Sequence, residues 1–314
     1  MPIVWIVIPC YNEEAVLPET SKQLTLIMNQ LMEQGKIDTK SKVVYVNDGS
    51  KDNSWELIEQ MHNQNPLFSG ICLSRNFGHQ NALLAGLMTA KEYADICISM
   101  DADLQDDIGV IEKFVDAFKQ GYDVVYGVRS NRESDTFLKK HTAQKFYKFM
   151  SFLGVELVYN HADCRLLSKR ALEALSQYSE VNLFLRGMVP QLGYKSTTVE
   201  YVRNKRFAGK SKYSIGKMLR FAFEGITSFS IKPIRLITMA GTFIFGICIA
   251  LIVYFLVRYF TGNTVSGWTS TVISIWTLGS IQLISIGTIG EYIGKTYLET
   301  KHRPKFIIEE IINK

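Results

Sequence analysis

Four polar clusters hold the residues able to do chemistry: PCYNEE at 9–14, NDGSKDNS at 47–54, SRNFGHQ at 74–80 and DADLQDD at 101–107. The last is the most pointed. An apolar run, ICISM, stops at Met100, and Asp101, Asp103, Asp106 and Asp107 follow at once. Asp101 and Asp103 are separated by one residue, so in extended chain they point the same way. Two carboxylates on one side repel unless a cation lies between them. Hard oxygen ligands of this kind suit Mg²⁺ or Mn²⁺, which keep positions for water and substrate phosphates. Spacing alone leaves that reading open beside a plainer one, a solvated acidic loop in which Asp106 or Asp107 caps the next helix. The histidines add no metal site: His79 has no second histidine near it, and His141, His161 and His302 show no ligand spacing. His79 reads as a loop hydrogen-bonding residue.

The elements that must position these clusters alternate. IVWIVIP (3–9) is a continuous apolar run, the pattern of a strand buried on both faces. Strands are also expected at 42–50, 69–74, 96–100 and 123–127, with helices at 14–35, 54–63, 81–93 and 109–120. Such alternation predicts an α/β domain with a mostly parallel sheet and helices on both faces. Ligands of these sheets bind at the carboxyl ends of the strands, where all four polar clusters fall. A lone Asp-Gly-Ser is ordinarily just a turn; four clusters at equivalent strand ends point to one site. The G-x-G-x-x-G and Walker A patterns are absent, which argues against a dinucleotide or P-loop enzyme.

The chain has 314 residues, a formal charge of +5 and a mean hydropathy of +0.04, high for a purely soluble protein. The apolar excess is concentrated late. Residues 236–257 carry no charge, and after Arg258 none appears from Tyr259 to Gly290. Each stretch exceeds the roughly 20 apolar residues that span a bilayer. Basic residues cluster before the first (Arg220, Lys232, Arg235) and after the second (Lys295, Lys301, Arg303, Lys305). The positive-inside rule therefore places both ends in the cytoplasm, with a short outer loop near 261–267. Residues 216–230 mix Met218, Leu219, Phe221 and Ile226 with Lys217 and Arg220, the pattern of an interfacial amphipathic helix or of an ordinary helix packed on the domain. The five cysteines (10, 72, 97, 164, 248) form no CxxC pair and read as reduced thiols.

Taken in order, VIPCYNEE, VNDGSKDNS, LSRNFGHQNALLAGL, DADLQDD, GYDVVYGVRSNR, ADCRLLSKRALEAL, FLRGMVPQLGY and RFAGKSKYSIGKMLRF make the chain resemble the GT-A-fold family 2 glycosyltransferases. Within them it is similar to the polyprenyl-phosphate (bactoprenol) glycosyltransferases and to dolichol-phosphate mannose synthases. The resemblance implies a GT-A catalytic domain (1–212), amphipathic juxtamembrane helices (213–233), a two-helix transmembrane hairpin (234–294) and a cytoplasmic tail (295–314). It implies that Pro9, Tyr11, Glu13, Asp48, Arg75, Asp101 and Ala102 line the nucleotide-sugar pocket, and that Asp101 and Asp103 are the D-x-D pair holding Mg²⁺ or Mn²⁺. Asp163 matches the position of the catalytic base. Arg129, Arg206, Lys210 and Lys212 match residues that meet the acceptor phosphate.

The implied activity is inverting transfer of one sugar from a nucleotide sugar to undecaprenyl phosphate at the cytoplasmic face of the inner membrane. UDP-glucose is the first choice of donor, ahead of UDP-N-acetylglucosamine and GDP-mannose. An inactive membrane-anchored scaffold is the alternative of another class, and intact Asp101, Asp103 and Asp163 argue against it. The resemblance further implies a homo-oligomer, a tetramer by analogy, and no nucleic-acid partner. Two departures stand out. Relatives often read D-L-Q-D-P-P where this chain has Asp106, Asp107, Ile108 and Gly109, and the Gln-x-x-Arg-Trp of processive polymerases is missing. The expected proton chemistry at Asp163 is itself open. A phosphate monoester has its second pKa near about 6, so the acceptor has little proton to give at neutral pH.

Overall fold

A computed structural model describes residues 1–129, 161–180, 184–202 and 267–313, with isolated helical positions between 234 and 257. The described residues fall into two units. The first holds the chain up to Val202 together with residues from Arg303 onward; the second includes the helix that ends at Thr300.

The first unit opens as the periodicity predicts. β1 (Val4–Cys10), α1 (Leu17–Glu33), β2 (Lys42–Asn47), α2 (Ser54–Gln64), β3 (Phe68–Leu73), α3 (His79–Tyr93), β4 (Ile96–Ser99), α4 (Val110–Lys119) and β5 (Val124–Arg129) follow one another. Every residue of β1 is buried, as a continuous apolar run requires. β1 lies between β2 and β4, parallel to both, with Trp5 opposite Lys42 and Val4 opposite Ile96. The chain thus builds outward from β1 to β2 and β3 on one side, then crosses to β4 on the other. That reversal opens a crevice at the carboxyl ends of β1 and β4.

Ile6 and Ile8 of β1 pack with Leu24 and Met28 of α1 and Phe114 of α4 in the main core. α3 lies against Val7 and Val46. A Cβ at Gly86 would come 2.3 Å from Val7 Cγ1 and 2.8 Å from Val46 Cγ2, so the helix sits this close only because position 86 has no side chain.

Past β4 the mostly parallel sheet takes in antiparallel pairing. β6 (His161–Ser168) inserts between β4 and β5, antiparallel to both, with Arg165 opposite Ser99 and Tyr126. After it come α5 (Lys169–Leu175), α6 (Leu185–Gln191) and β7 (Ser196–Tyr201), which pairs with β5. β8 (Ile308–Ile312) closes the other edge, antiparallel to β3. The order is β7-β5-β6-β4-β1-β2-β3-β8. Residues expected in a C-terminal tail are therefore partly a strand of this sheet. Lys42 Nζ and Ser69 Oγ tie Asn313 to the neighbouring strands. Five residues are too few to show a period, and the pairing spans most of the chain.

The described part of the second unit is chiefly α7 (Trp268–Thr300), about 50 Å long at 1.5 Å per residue. Among the described residues no helix is long and apolar enough to cross a membrane. The expected pair of spanning helices is thus not borne by the described structure. The uncharged run of α7 is diluted by Ser274, Thr277, Gly279, Gln282, Ser285 and Gly287. Most of the first expected span, 236–257, lies outside the described residues, as do the amphipathic helices at 213–233.

Candidate active site

The loops after β1 and β2 are stitched together by short polar side chains. Asn12 sits at φ +53°, a conformation Asn tolerates better than most residues. Its amide donates to Ser50 Oγ at 3.0 Å, and its own Oδ1 accepts the Lys51 amide at 2.8 Å. The Glu13 amide donates to Ser54 Oγ and the Glu14 amide to Asp52 Oδ2, while Glu14 Oε2 takes the Asn53 amide. Burial works against the Asp52 charge, but the hydrogen bonds from Ser54 and the Glu14 amide outweigh it and lower its pKa. Side chains of this length compete well for backbone amides, which is why YNEE and NDGSKDNS fold as turns.

Asp48 ties the β2 loop to the β3 loop. Its carboxylate takes the Phe77 amide at 2.7 Å and the Gly78 amide at 3.0 Å. It is 3% exposed, and burial raises its pKa despite those bonds. Gly49 makes the approach possible: a Cβ there would lie 2.5 Å from Arg75 C and 2.6 Å from Asn76 N, at φ +62°. Asp48, expected in the pocket, thus also holds the two loops together. Of the other expected pocket residues, Pro9 and Ala102 are buried in the walls, Ala102 taking the Thr20 hydroxyl on its carbonyl at 2.9 Å. Tyr11 is 37% exposed, Glu13 is half-buried, and Arg75 is exposed and stacks over Phe77.

The four aspartates after β4 separate into distinct tasks. Asp106 is buried and accepts the hydroxyl of Tyr201. Asp107 Oδ1 accepts the Gly109 amide at 3.0 Å and turns the chain into α4. Asp103 Oδ1 takes the Gln105 amide at 3.2 Å, and between them Leu104 is held at φ +54°, a sparsely populated region for Leu. Asp101 meets His79 Nε2 at 3.2 Å. Burial opposes protonation of His79, but the Asp101 hydrogen bond and the charges of Asp101 and Asp163 win and raise its pKa above the ordinary histidine value. Among the described residues no group of three or more acidic, His or Cys side chains is gathered as a complete metal cage. Asp101 and Asp103 are half-buried hard-oxygen donors at a strand end. They fit a divalent cation that completes its shell with substrate phosphate and water.

Asp163 reaches the same strand end from β6. Its carbonyl accepts the Ser99 hydroxyl at 2.7 Å. Its carboxylate is held by two arginines. Arg186 donates from Nε to Oδ1 at 2.9 Å and from Nη2 to Oδ2 at 2.7 Å, and Arg165 Nη2 reaches Oδ1 at 3.2 Å. Burial would raise the Asp163 pKa, but the Arg186 hydrogen bonds and the charges of Arg186 and Arg165 hold it well below the carboxylate range. Sequence reasoning assigned neither arginine a role. FLRGMVPQLGY stood out as a motif, yet Arg186 lies 23 residues from its partner and shares no element with it. Arg129 ends β5, its backbone in register with Tyr201. Arg206, Lys210 and Lys212 lie outside the described residues.

Comparison with known proteins agrees with this architecture. The sequence profile described as Glycosyl transferase family 2 matches residues 5–176. An uncharacterized glycosyltransferase of Bacillus subtilis, YkoT, is 51% identical over 98% of this chain and 91% of its own length. The bactoprenol glucosyl transferase of Shigella phage SfV is 39% identical over 97% of each chain. A prophage bactoprenol glucosyl transferase homolog of Escherichia coli K12 is 38% identical over 98% of each.

Proposed function

The chain belongs to glycosyl transferase family 2, and on that premise we propose that it transfers one sugar from a nucleotide sugar to a polyprenyl phosphate, with UDP-glucose and undecaprenyl phosphate as the pair. The observation that carries this reading is the Asp163–Arg186 pair tied to the end of β4, the strand that Asp101 and Asp103 follow, in a chain aligned end to end with enzymes named for a bactoprenol acceptor.

The stitched loops after β1, β2 and β3 offer a preformed cradle for the nucleotide, which lowers the ordering cost of binding. Asp101 and Asp103 would hold Mg²⁺ or Mn²⁺, and a bound divalent cation offsets the charge of a departing diphosphate. Attack from the face opposite the leaving group inverts the anomeric carbon. Arg129 and the basic segment of Arg206, Lys210 and Lys212 supply positive charge for the acceptor.

The site is proposed to work at the cytoplasmic face of a membrane. In support, Ile275, Leu283, Ile284 and Ile286 of α7 are 64 to 72% exposed, and successive helix positions point 100° apart, so apolar surface faces several directions. Ser285 and Thr288 turn their hydroxyls back to the carbonyls of Ile281 and Ile284, which satisfies them without water. β8 adds a constraint of its own. It follows α7 in the chain yet pairs with β3, so the segment between β7 and β8 must cross any bilayer an even number of times.

The test is a panel of radiolabelled UDP-glucose, UDP-N-acetylglucosamine and GDP-mannose with undecaprenyl phosphate in detergent and Mg²⁺ or Mn²⁺, followed by lipid extraction. Label from UDP-glucose in the lipid phase is expected. Label from another donor alone corrects the sugar, and no lipid label from any donor overturns the proposal.

A further inference from the structure

The group expected to act as base is already engaged. Among the described residues the Asp163 carboxylate is met by guanidinium donors, two from Arg186 and one from Arg165. Arg165 is 2% exposed, and its other hydrogen bonds go to the carbonyls of Asp163 and Leu185, so it belongs to the frame. Arg186 differs. About a third of its side chain is open, and the paired bonds from Nε and Nη2 fix the plane of its guanidinium. Gln80 Oε1 accepts the Leu185 amide at 3.0 Å, so the start of α6 is anchored to the first turn of α3, beside His79 and hence Asp101.

We propose that Arg186 binds the phosphate of the acceptor, and that Asp163 is the residue that positions its guanidinium. The inference rests on the acceptor being a phosphate monoester, as proposed above. Such a phosphate is mostly a dianion at neutral pH. One of its oxygens forms the new bond to the anomeric carbon, the bond from that carbon to the diphosphate oxygen breaks, and the nucleoside diphosphate leaves with the bonding pair. No proton has to be removed from the dianion. A bare carboxylate would repel it, whereas a rigid guanidinium recognises it with parallel donors. The low pKa of Asp163 agrees, since it makes the group a poor base.

The experiment is a double-mutant cycle of Arg186→Gln and Asp163→Asn, read with UDP-glucose and undecaprenyl phosphate. Loss of a charged hydrogen-bonding partner should raise the KM for lipid phosphate roughly ten- to a hundredfold. The KM for UDP-glucose should stay near that of the parent, while the Tm falls, because the Asp163 carboxylate loses its main partner. Asp163→Asn should mainly raise the same lipid KM, and the double variant should be no worse than Arg186→Gln alone, because both remove one function. Unchanged lipid KM in Arg186→Gln, or a fall in kcat for Asp163→Asn that multiplies with the arginine effect, overturns the inference and restores the base. If Arg186→Gln does not fold, Arg186→Lys decides: it keeps the charge and loses the fork, so a raised lipid KM at parental kcat supports the inference and an unchanged one overturns it. A parent protein that labels no lipid removes the function and this inference together, whereas a parent that labels lipid with an insensitive Arg186 removes the inference alone.

Discussion

The hydroxyl of Ser99 donates to the backbone carbonyl of Asp163 at 2.7 Å, across 64 residues of sequence. This bond joins the end of β4, the strand that Asp101 and Asp103 follow, to β6. The groups proposed for donor and acceptor can each be tested apart from the other.

Metal dependence tests the donor side. Asp103→Asn should cut transfer to undecaprenyl phosphate by about a hundredfold or more, since a bound cation supplies several kcal/mol to the departing charge. The Asp103 carboxylate is half-buried at a strand end outside the core, so the Tm should barely move. EDTA should silence the parent enzyme to a similar degree. Lipid labelling at full rate in EDTA would sink the D-x-D assignment.

Gly49 tests whether the cradle is preformed. Gly49→Ala forces a Cβ against the backbone of Arg75 and Asn76 at a φ of +62°, and backbone cannot swing aside as a side chain can. The expected cost is about 2–4 kcal/mol of stability, with weaker nucleotide binding in whatever still folds. Urea midpoints and titration with a fluorescent UDP analogue would measure both, and unchanged values would mean the two loops are not held in this arrangement.

Acid stability tests the Asp163 pairing. Its folded pKa is depressed, so below the ordinary carboxylate value of about 4 the unfolded chain takes up a proton that the folded chain refuses. The stabilisation is therefore complete above that pH and is lost as pH falls toward the folded value. Asp163→Asn lacks this dependence and leaves Arg165 buried without its charge partner. The stability gap between parent and variant, from denaturant midpoints in detergent, should be wide at pH 7 and narrow between about pH 4 and pH 2. A gap of constant width would show that the pair is not formed in solution.

Much of this was legible in the residues. The continuous apolar runs of β1, β2 and β4 fixed a buried parallel sheet, because only strands covered on both faces can dispense with polar alternation. The clusters YNEE, NDGS and DADLQDD declared the strand ends, because turns and hydrogen-bonded loops need short polar side chains and glycine. The pair Asp101 and Asp103 was visible as a pair because its partners lie two residues apart.

The remainder depended on contacts between residues far apart in the chain. Asp101, Asp103, Asp106 and Asp107 look alike in sequence, and only packing showed that Asp106 serves Tyr201 and Asp107 serves Gly109, whereas Asp101 meets His79 and Asp103 takes the Gln105 amide. That Asp48 also ties the Phe77 and Gly78 amides of the next loop showed only in the fold. β8 carried too short a pattern to be seen, and its partner β3 lies more than two hundred residues upstream. Arg186 gave no local signal, since a single arginine on a short helix has the same propensities whether it faces water or a carboxylate. Sequence determines the elements and the chemistry they carry, because both act over a few residues. Which charges face one another was decided by the tertiary structure, because an ion pair depends on distance in space, and the insertion of β6 beside β4 is what set that distance for Asp163.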